Sequence, residues 1–487
     1  MYPFLSMNIA ASILEIAVIG LGIAVMLADL WLPREKKIWL GYAAAAGLAL
    51  ILFGSFSMSG NPATLAFGDM YILDAFALFF KRFFLIAAIL VMIVSIEYSP
   101  KFQTGKGEYF TLVLFALAGM MFSASANHFA LLFVSMELMT ITFYVLTSFL
   151  RNQLLSLEAG IKYLILGALS SGFLVYGIAL VYGTTSTMDF ATLREKSALM
   201  TDNPLLLVGL LMIIGGLGFK IAAFPFQFWA PDVYQGSPSS TTAFLAVGSK
   251  AAGFALLMRL LFVAVPEITL QWEKLLMVIA GITILYGNLC ALPQRNLKRL
   301  LGYSSIANAG YLMMGIAAMS ASGSTAILYY LYSYMFTVIA AFLIIILVMK
   351  HTGAEDIVHL AKLHERAPGL AGVMTLSMVS LAGIPPLAGF FGKFLLFEAV
   401  IEQATVQSSY YLLAAVAIVG VVISLYYYFG VIRTIYWGKQ QMIPEDIQIS
   451  PASKAALWVC SVVIIYLGIM PERLMQAATA AVESLKF

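Results

Sequence analysis

Five ionisable side chains lie inside long apolar stretches of the sequence, where they could exchange protons. They are Glu137, Lys162, Lys220, Lys250 and Lys393. A charged group near the centre of a bilayer costs at least ~2.5 kcal/mol, so it needs a partner or a water-filled cavity. Burial favours the neutral amine of a lysine, and a nearby carboxylate favours the charged form. We expect Glu137 to pair with Lys220, and we predict a proton relay rather than a site that makes or breaks covalent bonds.

Prolines interrupt two of these apolar stretches close to a lysine. Pro225 follows Lys220 by five residues, and Pro385 and Pro386 precede Lys393. Proline removes a backbone donor and clashes with the preceding turn, so both helices should be broken at these points. Broken helices at matching positions in two halves of a transporter indicate the path of the ion.

The composition predicts that the chain crosses a membrane many times. Of its 487 residues, 62% are hydrophobic and 10% are charged, whereas about a quarter are charged in soluble proteins. A hydrocarbon core needs about 20 apolar residues per helix, and the apolar runs predict an all-α integral membrane protein of about 14 spans. With that number, Lys and Arg are about three times as frequent in one set of loops as in the other, which predicts that both termini lie on the outer side.

The two broken helices would be the seventh and twelfth spans. Because they are five spans apart, the second unit enters the membrane from the opposite face, and the two units are predicted to be inverted five-helix repeats. Their predicted ranges are 109–266 and 267–440. Three transmembrane helices are predicted in 1–108, and a terminal helix is predicted in 441–487.

Several other kinds of chemistry are disfavoured. The chain has two cysteines, Cys290 and Cys460, far apart in apolar stretches, so we predict no thiolate-bound cluster and no metal site. No glycine-rich motif for a dinucleotide is visible. The formal charge of +3, with the basic residues dispersed over the loops, argues against a nucleic-acid partner. The tyrosines at 329–334 and 426–428 are interpreted as packing or interfacial residues rather than a quinone site.

Three segments resemble a known family. They are VSMELMTITFYVL, PFQFWAPDVYQGSPSSTTAFLAVGSKAAGF and SLAGIPPLAGFFGKF. They are similar to the signature segments of the proton-translocating membrane subunits of respiratory complex I, and specifically of the subunit N family of NADH-quinone oxidoreductases, the counterpart of mitochondrial subunit 2. The resemblance extends over most of the chain and implies a fourteen-helix antiporter-like fold.

By motif position, the resemblance also implies a role for each ionisable residue. Glu137 would be the carboxylate of the fifth helix, and Lys220 would be its partner on the broken seventh helix. Lys250 would connect the two halves from the eighth helix, and Lys393 would be the last lysine, on the broken twelfth helix. Lys162 would be a further relay residue on the sixth helix.

A multi-subunit assembly is implied as well. The chain would move protons in the cell (inner) membrane, coupled to quinone reduction elsewhere in the complex, and would carry no redox centre or cofactor of its own. Its partners would be the lipid bilayer and other complex I membrane subunits, both antiporter-like and small. FMN and iron–sulfur clusters would lie in partner subunits.

Two alternatives stay open. An Mrp-type sodium/proton antiporter subunit shares the same plan, although the WAPDVYQG segment and the lysine at 250 followed by AAGF favour subunit N. A structural membrane scaffold would use the buried charges only to pair helices. By the resemblance, the electron donor of the complex would be NADH, ferredoxin or coenzyme F420.

Overall fold

The described chain is built almost entirely of helices. The computed structural model describes residues 8–439 and 447–485; the two termini, predicted on the outer side, lie outside the described residues. The α-helices are α1 Ile13–Trp31, α2 Ile38–Ser55, α3 Ala75–Tyr98, α4 Lys106–Ala124, α5 Phe129–Thr147, α6 Leu154–Thr185, α7 Phe190–Ala198, α8 Pro204–Ile221, α9 Trp229–Gly236, α10 Ser239–Phe244, α11 Lys250–Met258, α12 Pro266–Gln271, α13 Glu273–Ala291, α14 Leu297–Ala317, α15 Ala321–Thr352, α16 Leu363–Arg366, α17 Pro368–Ala382, α18 Ala388–Ala404, α19 Ser409–Trp437, α20 Pro451–Ile469 and α21 Glu472–Glu483.

Short elements of other kinds join these helices. Two strands, β1 Thr64–Ala66 and β2 Tyr71–Leu73, form an antiparallel ribbon that the sequence analysis did not predict. Single 3₁₀ turns lie at Ile9–Ser12, Arg34–Lys36, Ser99–Lys101 and Ile357–Leu360. Two π-helical turns, Leu245–Ser249 and Arg259–Ala264, flank α11 on either side.

The predicted helical membrane architecture is confirmed. Within the described residues, twelve helical segments are long and apolar enough to cross a membrane. Two further predicted spans fall outside this group. α14 has 21 residues, but it contains three glycines, two serines, one asparagine and the charged pair Lys298 and Arg299. The twelfth predicted span is divided between α17 and α18. The total of fourteen spans, the domain ranges and the inverted repeats stay predictions.

Both expected helix interruptions are present. α8 ends at Ile221, and α9 begins only at Trp229, with Pro225 between them. α17 ends at Ala382, and α18 begins at Ala388, after the two prolines. Ala222 has a left-handed backbone, with φ of 58°, a conformation that residues with a side chain rarely adopt. The first interruption is therefore held by its surroundings rather than by local preference.

Two long helical segments form the centre of the molecule. Most residues of α15 and of the continuous segment Ser239–Ala264 are buried. α15 packs against α3, α14, α17, α18 and α20. By contrast, α6 and α19 each leave an apolar face exposed, as expected for helices that contact lipid or a neighbouring subunit.

A buried ion pair joins α3 to the second π-helical turn. Asp74 accepts hydrogen bonds from Arg259 at 2.7 and 3.0 Å, and it also caps α3 by accepting from the backbone N–H of Ala77 at 2.7 Å. The Nε of Arg259 donates to the carbonyl oxygen of Ala124 at 2.7 Å. Asp74 and Arg259 are each 1% exposed. A guanidinium in this position needs its carboxylate, because an unpaired buried charge is strongly destabilising.

A second buried pair joins α1 to α3. Lys81 Nζ lies 2.8 Å from Glu15 Oε1, and both side chains are fully buried. The Tyr71 hydroxyl contacts both groups, at 2.5 Å from Lys81 Nζ and 3.1 Å from Glu15 Oε1. These contacts fix the N-terminal helices to one another with complementary charges.

We predict that Asp74→Asn destabilises the folded chain by about 3 kcal/mol, because it leaves the buried guanidinium of Arg259 without a counter-charge. Thermal unfolding of the detergent-purified chain would measure the loss. The matched control is Asp202→Asn, which changes an exposed carboxylate in the same way. Equal unfolding temperatures for the two variants would contradict this assignment.

Candidate functional site

Lys220 lies in the last turn of α8, directly before the first interruption. Its side chain is buried, and its ammonium donates a hydrogen bond to the Thr140 hydroxyl on α5. The Nζ atom also lies 5.6 Å from the ring centre of Tyr163 and 5.5 Å from that of Phe219. Aromatic faces attract a cation, so the pocket accepts the charged amine although it offers no carboxylate in contact.

Glu137 lies one turn before Thr140 on α5, and it does not touch Lys220. Its Oε1 accepts a hydrogen bond from the Ser171 hydroxyl at 2.5 Å, and the residue is only half-buried. No ion pair joins Glu137 to Lys220 among the described residues; both side chains contact hydroxyl groups instead. The expected pair is therefore brought to one helix interface without direct contact.

Lys250 is the first residue of α11, directly after a π-helical turn. It is 2% exposed, and its Nζ donates to the Ser305 carbonyl at 2.6 Å and to the Ser305 hydroxyl at 2.5 Å. The same hydroxyl lies 3.1 Å from the Tyr234 hydroxyl on α9. Lys250 thus contacts α14, which falls in the second predicted repeat; its role in connecting the two halves stays a prediction.

Lys393 lies in α18, just after the second interruption, and it reaches back to the end of the helix before the break. Its Nζ lies 2.8 Å from the carbonyl oxygen of Leu381 and 3.5 Å from that of Ala382. The last carbonyls of a helix lack partners and carry the negative end of its dipole, so they stabilise a cation there. The Tyr311 ring is 5.0 Å away. Lys393 is 4% exposed.

A polar face of α14 lies between Lys250 and Lys393, and the sequence analysis missed it. Asn308 donates to the Ser304 carbonyl at 2.9 Å and accepts from the Tyr330 hydroxyl at 2.5 Å. The Ser304 hydroxyl lies 2.5 Å from that of Tyr428. Ser304, Asn308 and Tyr311 recur at helical spacing, so the signal was present in the sequence.

The tyrosine runs divide between two environments. Tyr330, Tyr334, Tyr427 and Tyr428 are buried, and the Tyr427 hydroxyl donates to the Asn288 side chain at 3.0 Å. Tyr426 is 75% exposed. The buried members therefore fit the packing interpretation, and the exposed Tyr426 fits the interfacial one. Tyr330, Tyr427 and Tyr428 also join the interior polar network through their hydroxyls.

Lys162 is placed apart from the other lysines. Its side chain is 40% exposed and lies 2.6 Å from Asp232 Oδ2 and 2.7 Å from Glu158 Oε1.

Cys290 and Cys460 do not form a disulfide. Within the described residues, no three His, Cys, Asp or Glu side chains are grouped to hold a metal ion.

The fold and these interior lysines define an antiporter-like membrane subunit. The family described as NADH:quinone oxidoreductase/Mrp antiporter, TM, matches residues 126–424, and the chain belongs to this family. Within it, the chain is 40% identical over 477 residues to NADH-quinone oxidoreductase subunit N of Desulforamulus reducens, covering 98% of both chains. It is 41% identical over 483 residues to subunit N of Heliobacterium modesticaldum, covering 98% of this chain and 100% of the relative.

Solved structures share the fold. A chain of respiratory complex I from Thermus thermophilus has a TM-score of 0.79 and 31% identity, covering 96% of this chain and 99% of that chain. A chain of the Mrp complex from Dietzia has a TM-score of 0.83 and 20% identity, covering 97% of both chains. At that identity the second likeness concerns the fold alone.

We predict that Lys393→Met loosens the end of α17, because the carbonyls of Leu381 and Ala382 lose their cation. A cation at a partly buried helix end contributes up to ~2 kcal/mol, so the backbone amides of 379–384 should exchange hydrogen roughly tenfold faster. Hydrogen-exchange mass spectrometry would measure this. Lys454→Met, at an exposed position, is the control; unchanged exchange in the Lys393 variant would refute the proposed contact.

Proposed function

We propose that this chain is a proton-translocating membrane subunit of an NADH-quinone oxidoreductase. In this proposal, protons move along Lys220, Lys250 and Lys393, coupled to quinone reduction elsewhere in the complex. The chain carries no redox centre of its own. It contributes the path for protons, and the chemistry of electron transfer belongs to partner subunits.

The observation that carries the proposal is the difference between two kinds of buried cation. Lys81 and Arg259 each contact a carboxylate at 2.8 Å or less. Lys220, Lys250 and Lys393 instead contact hydroxyls or backbone carbonyls, and no ion pair within 4.0 Å involves them among the described residues. A cation paired with a carboxylate is held in the charged form, whereas a buried amine without one can exist in either form.

The polar face of α14 supports a path for protons between Lys250 and Lys393. Ser305 contacts Lys250, and Tyr311 on the same helix faces Lys393. Hydroxyl groups both donate and accept hydrogen bonds, so they can pass a proton along a chain that includes water. Asn308 lies between Ser305 and Tyr311 on the same helix, and it contacts Ser304 and the Tyr330 hydroxyl.

Glu137 supplies a charge that can change the proton affinity of Lys220. The carboxylate is half-buried and contacts Ser171, so it is partly open to the face between α5 and α6. A negative charge near a buried amine favours its charged form, and loss of that charge favours proton release. A change in the surroundings of Glu137 would therefore alter the proton affinity of Lys220 without any large movement of the helices.

The assembly is part of the proposal. Relatives named NADH-quinone oxidoreductase subunit N, matched over nearly their whole length, support membership of such a complex in the cell membrane. Its other membrane subunits are the expected partners, and FMN and iron–sulfur clusters are expected in subunits outside this chain. Both termini are proposed to lie on the outer side of the membrane.

The shared fold with an Mrp complex chain favours a second candidate, a subunit of a sodium/proton antiporter. Purification of the native assembly separates the two. Flavin and iron–sulfur subunits would accompany an oxidoreductase subunit, whereas small membrane subunits alone would accompany the antiporter. A purely structural scaffold predicts instead that Glu137→Gln combined with Lys220→Met retains full pumping.

We predict that Lys220→Ala and Lys393→Ala each reduce proton pumping by the intact complex more than about tenfold, because each removes one carrier from the path. Pumping would be measured in sealed membrane vesicles from the acidification that follows NADH addition, together with the amount of assembled complex. Lys454→Ala, at an exposed position, is the control. Normal pumping by both variants would refute the relay.

We also predict that Ser305→Ala reduces pumping, because Lys250 loses a hydroxyl that also contacts Tyr234. A hydrogen bond to a charged group contributes about 1.5–3 kcal/mol, so a drop of roughly tenfold is expected in the same vesicle assay. Ser322→Ala is the matched control, since that hydroxyl is exposed and contacts Ser320 and Glu402. Pumping equal to that of the control would contradict a role for the α14 face.

A further inference from the structure

Lys162 differs from the other relay candidates in its neighbours. On α6 it contacts Glu158, one turn earlier on the same helix, at 2.7 Å. On α9 it contacts Asp232 at 2.6 Å. Two carboxylates therefore share this ammonium group, whereas Lys220, Lys250 and Lys393 contact none.

Asp232 extends this contact to a third helix. Its other oxygen, Oδ1, lies 2.5 Å from Arg299 Nη1 on α14, and the same nitrogen lies 3.0 Å from Gln235 Oε1. An open cleft beside these groups is lined by Glu158, Asp232 and Arg299. We define Glu158, Lys162, Asp232 and Arg299 as the bridging cluster. It holds two positive and two negative groups, so its charges balance only when Lys162 is charged.

This balance determines what Lys162 can do. Removal of its proton would leave two carboxylates facing one guanidinium, which Coulomb interactions disfavour. The contacts stabilise the charged form, which is the opposite of what a proton carrier needs. We propose that Lys162 is a permanently charged positioning residue, and that with Asp232 it fixes α9 beside the first helix interruption.

The position of α9 matters because this half-helix contacts two parts of the relay. Trp229 on α9 packs against Tyr163 and Phe219, with ring centres 4.9 and 5.2 Å away, and those two rings face Lys220. Tyr234, two residues after Asp232, lies 3.1 Å from the Ser305 hydroxyl that contacts Lys250. Loss of the bridging cluster would therefore disturb the surroundings of two carriers together.

The proposal rests on the proposed function, and arginine substitutions test it in the intact complex. Arginine stays charged at all relevant pH values. Lys162→Arg should therefore pump protons within about twofold of the unchanged protein, whereas Lys220→Arg should lose most pumping because its side chain cannot release a proton. Lys162→Gln and Asp232→Asn should each reduce pumping, and the loss in the double variant should be smaller than the two single losses combined, since both single variants already lack the contact between Lys162 and Asp232.

Hydrogen exchange of residues 229–236 gives a second measurement that does not depend on pumping. Lys162→Gln and Asp232→Asn should exchange about fivefold faster, equivalent to ~1 kcal/mol, and Lys162→Arg should restore the original rate. Lys274→Gln, an exposed lysine on α13, is the control. Loss of pumping by Lys162→Arg together with restored exchange would overturn the proposal, because it would mean that Lys162 must release a proton.

These experiments distinguish failure of the proton relay from failure of the positioning role proposed for Lys162. Full pumping by Lys220→Arg would refute the proposed function, and the exchange rates of 229–236 would still decide whether Lys162 fixes α9. Unchanged exchange in Lys162→Gln and Asp232→Asn would overturn the positioning role whatever the pumping results were.

Discussion

The cost of holding an ammonium group away from water governs this structure. At the centre of a membrane, such a group needs compensation of several kcal/mol, and a protein can supply it in two ways. A carboxylate in contact fixes the charge, as Glu15 does for Lys81. Hydroxyls, the backbone carbonyls at a helix end and aromatic rings compensate partly, and they surround Lys220 and Lys393 without a carboxylate in contact. The first arrangement stabilises the fold, and the second is the one that we propose for the path of protons.

The helix interruptions follow from the same cost. A continuous helix satisfies its own carbonyls and has none to offer a lysine in the interior. Where α17 stops at Ala382, its last carbonyls point toward Lys393 and provide the acceptors that the surrounding lipid cannot. The proline pair and Gly383, with φ of 82°, allow the chain to stop and restart within a few residues. The interruption between α17 and α18 thus supplies the hydrogen-bond acceptors for Lys393.

Much of this arrangement could be predicted from the sequence, because a charged residue in an apolar run or a proline in a helix has few explanations. The interior lysines and both interruptions were found in that way. The contact of Lys250 with Ser305 could not be predicted, since it joins residues 55 positions apart and depends on how two helices pack. The expected contact between Glu137 and Lys220 is replaced by separate hydroxyl partners, Ser171 for Glu137 and Thr140 for Lys220, and this choice depends on how α5, α6 and α8 pack. Lys162 resembled the others by its neighbours in sequence, and only the fold brings Asp232 to it.

The wider turn at Leu245–Ser249 has a consequence for the geometry of the central segment. A π-turn contains one more residue than an α-turn. The side chains after it are therefore rotated about the helix axis relative to the positions that an uninterrupted α-helix would give them. The hydroxyls of Ser239–Phe244 and the amine of Lys250 can therefore face different helices of the surrounding bundle. A single helical wheel drawn for the whole segment Ser239–Ala264 would assign one of these two groups to the wrong neighbouring helix.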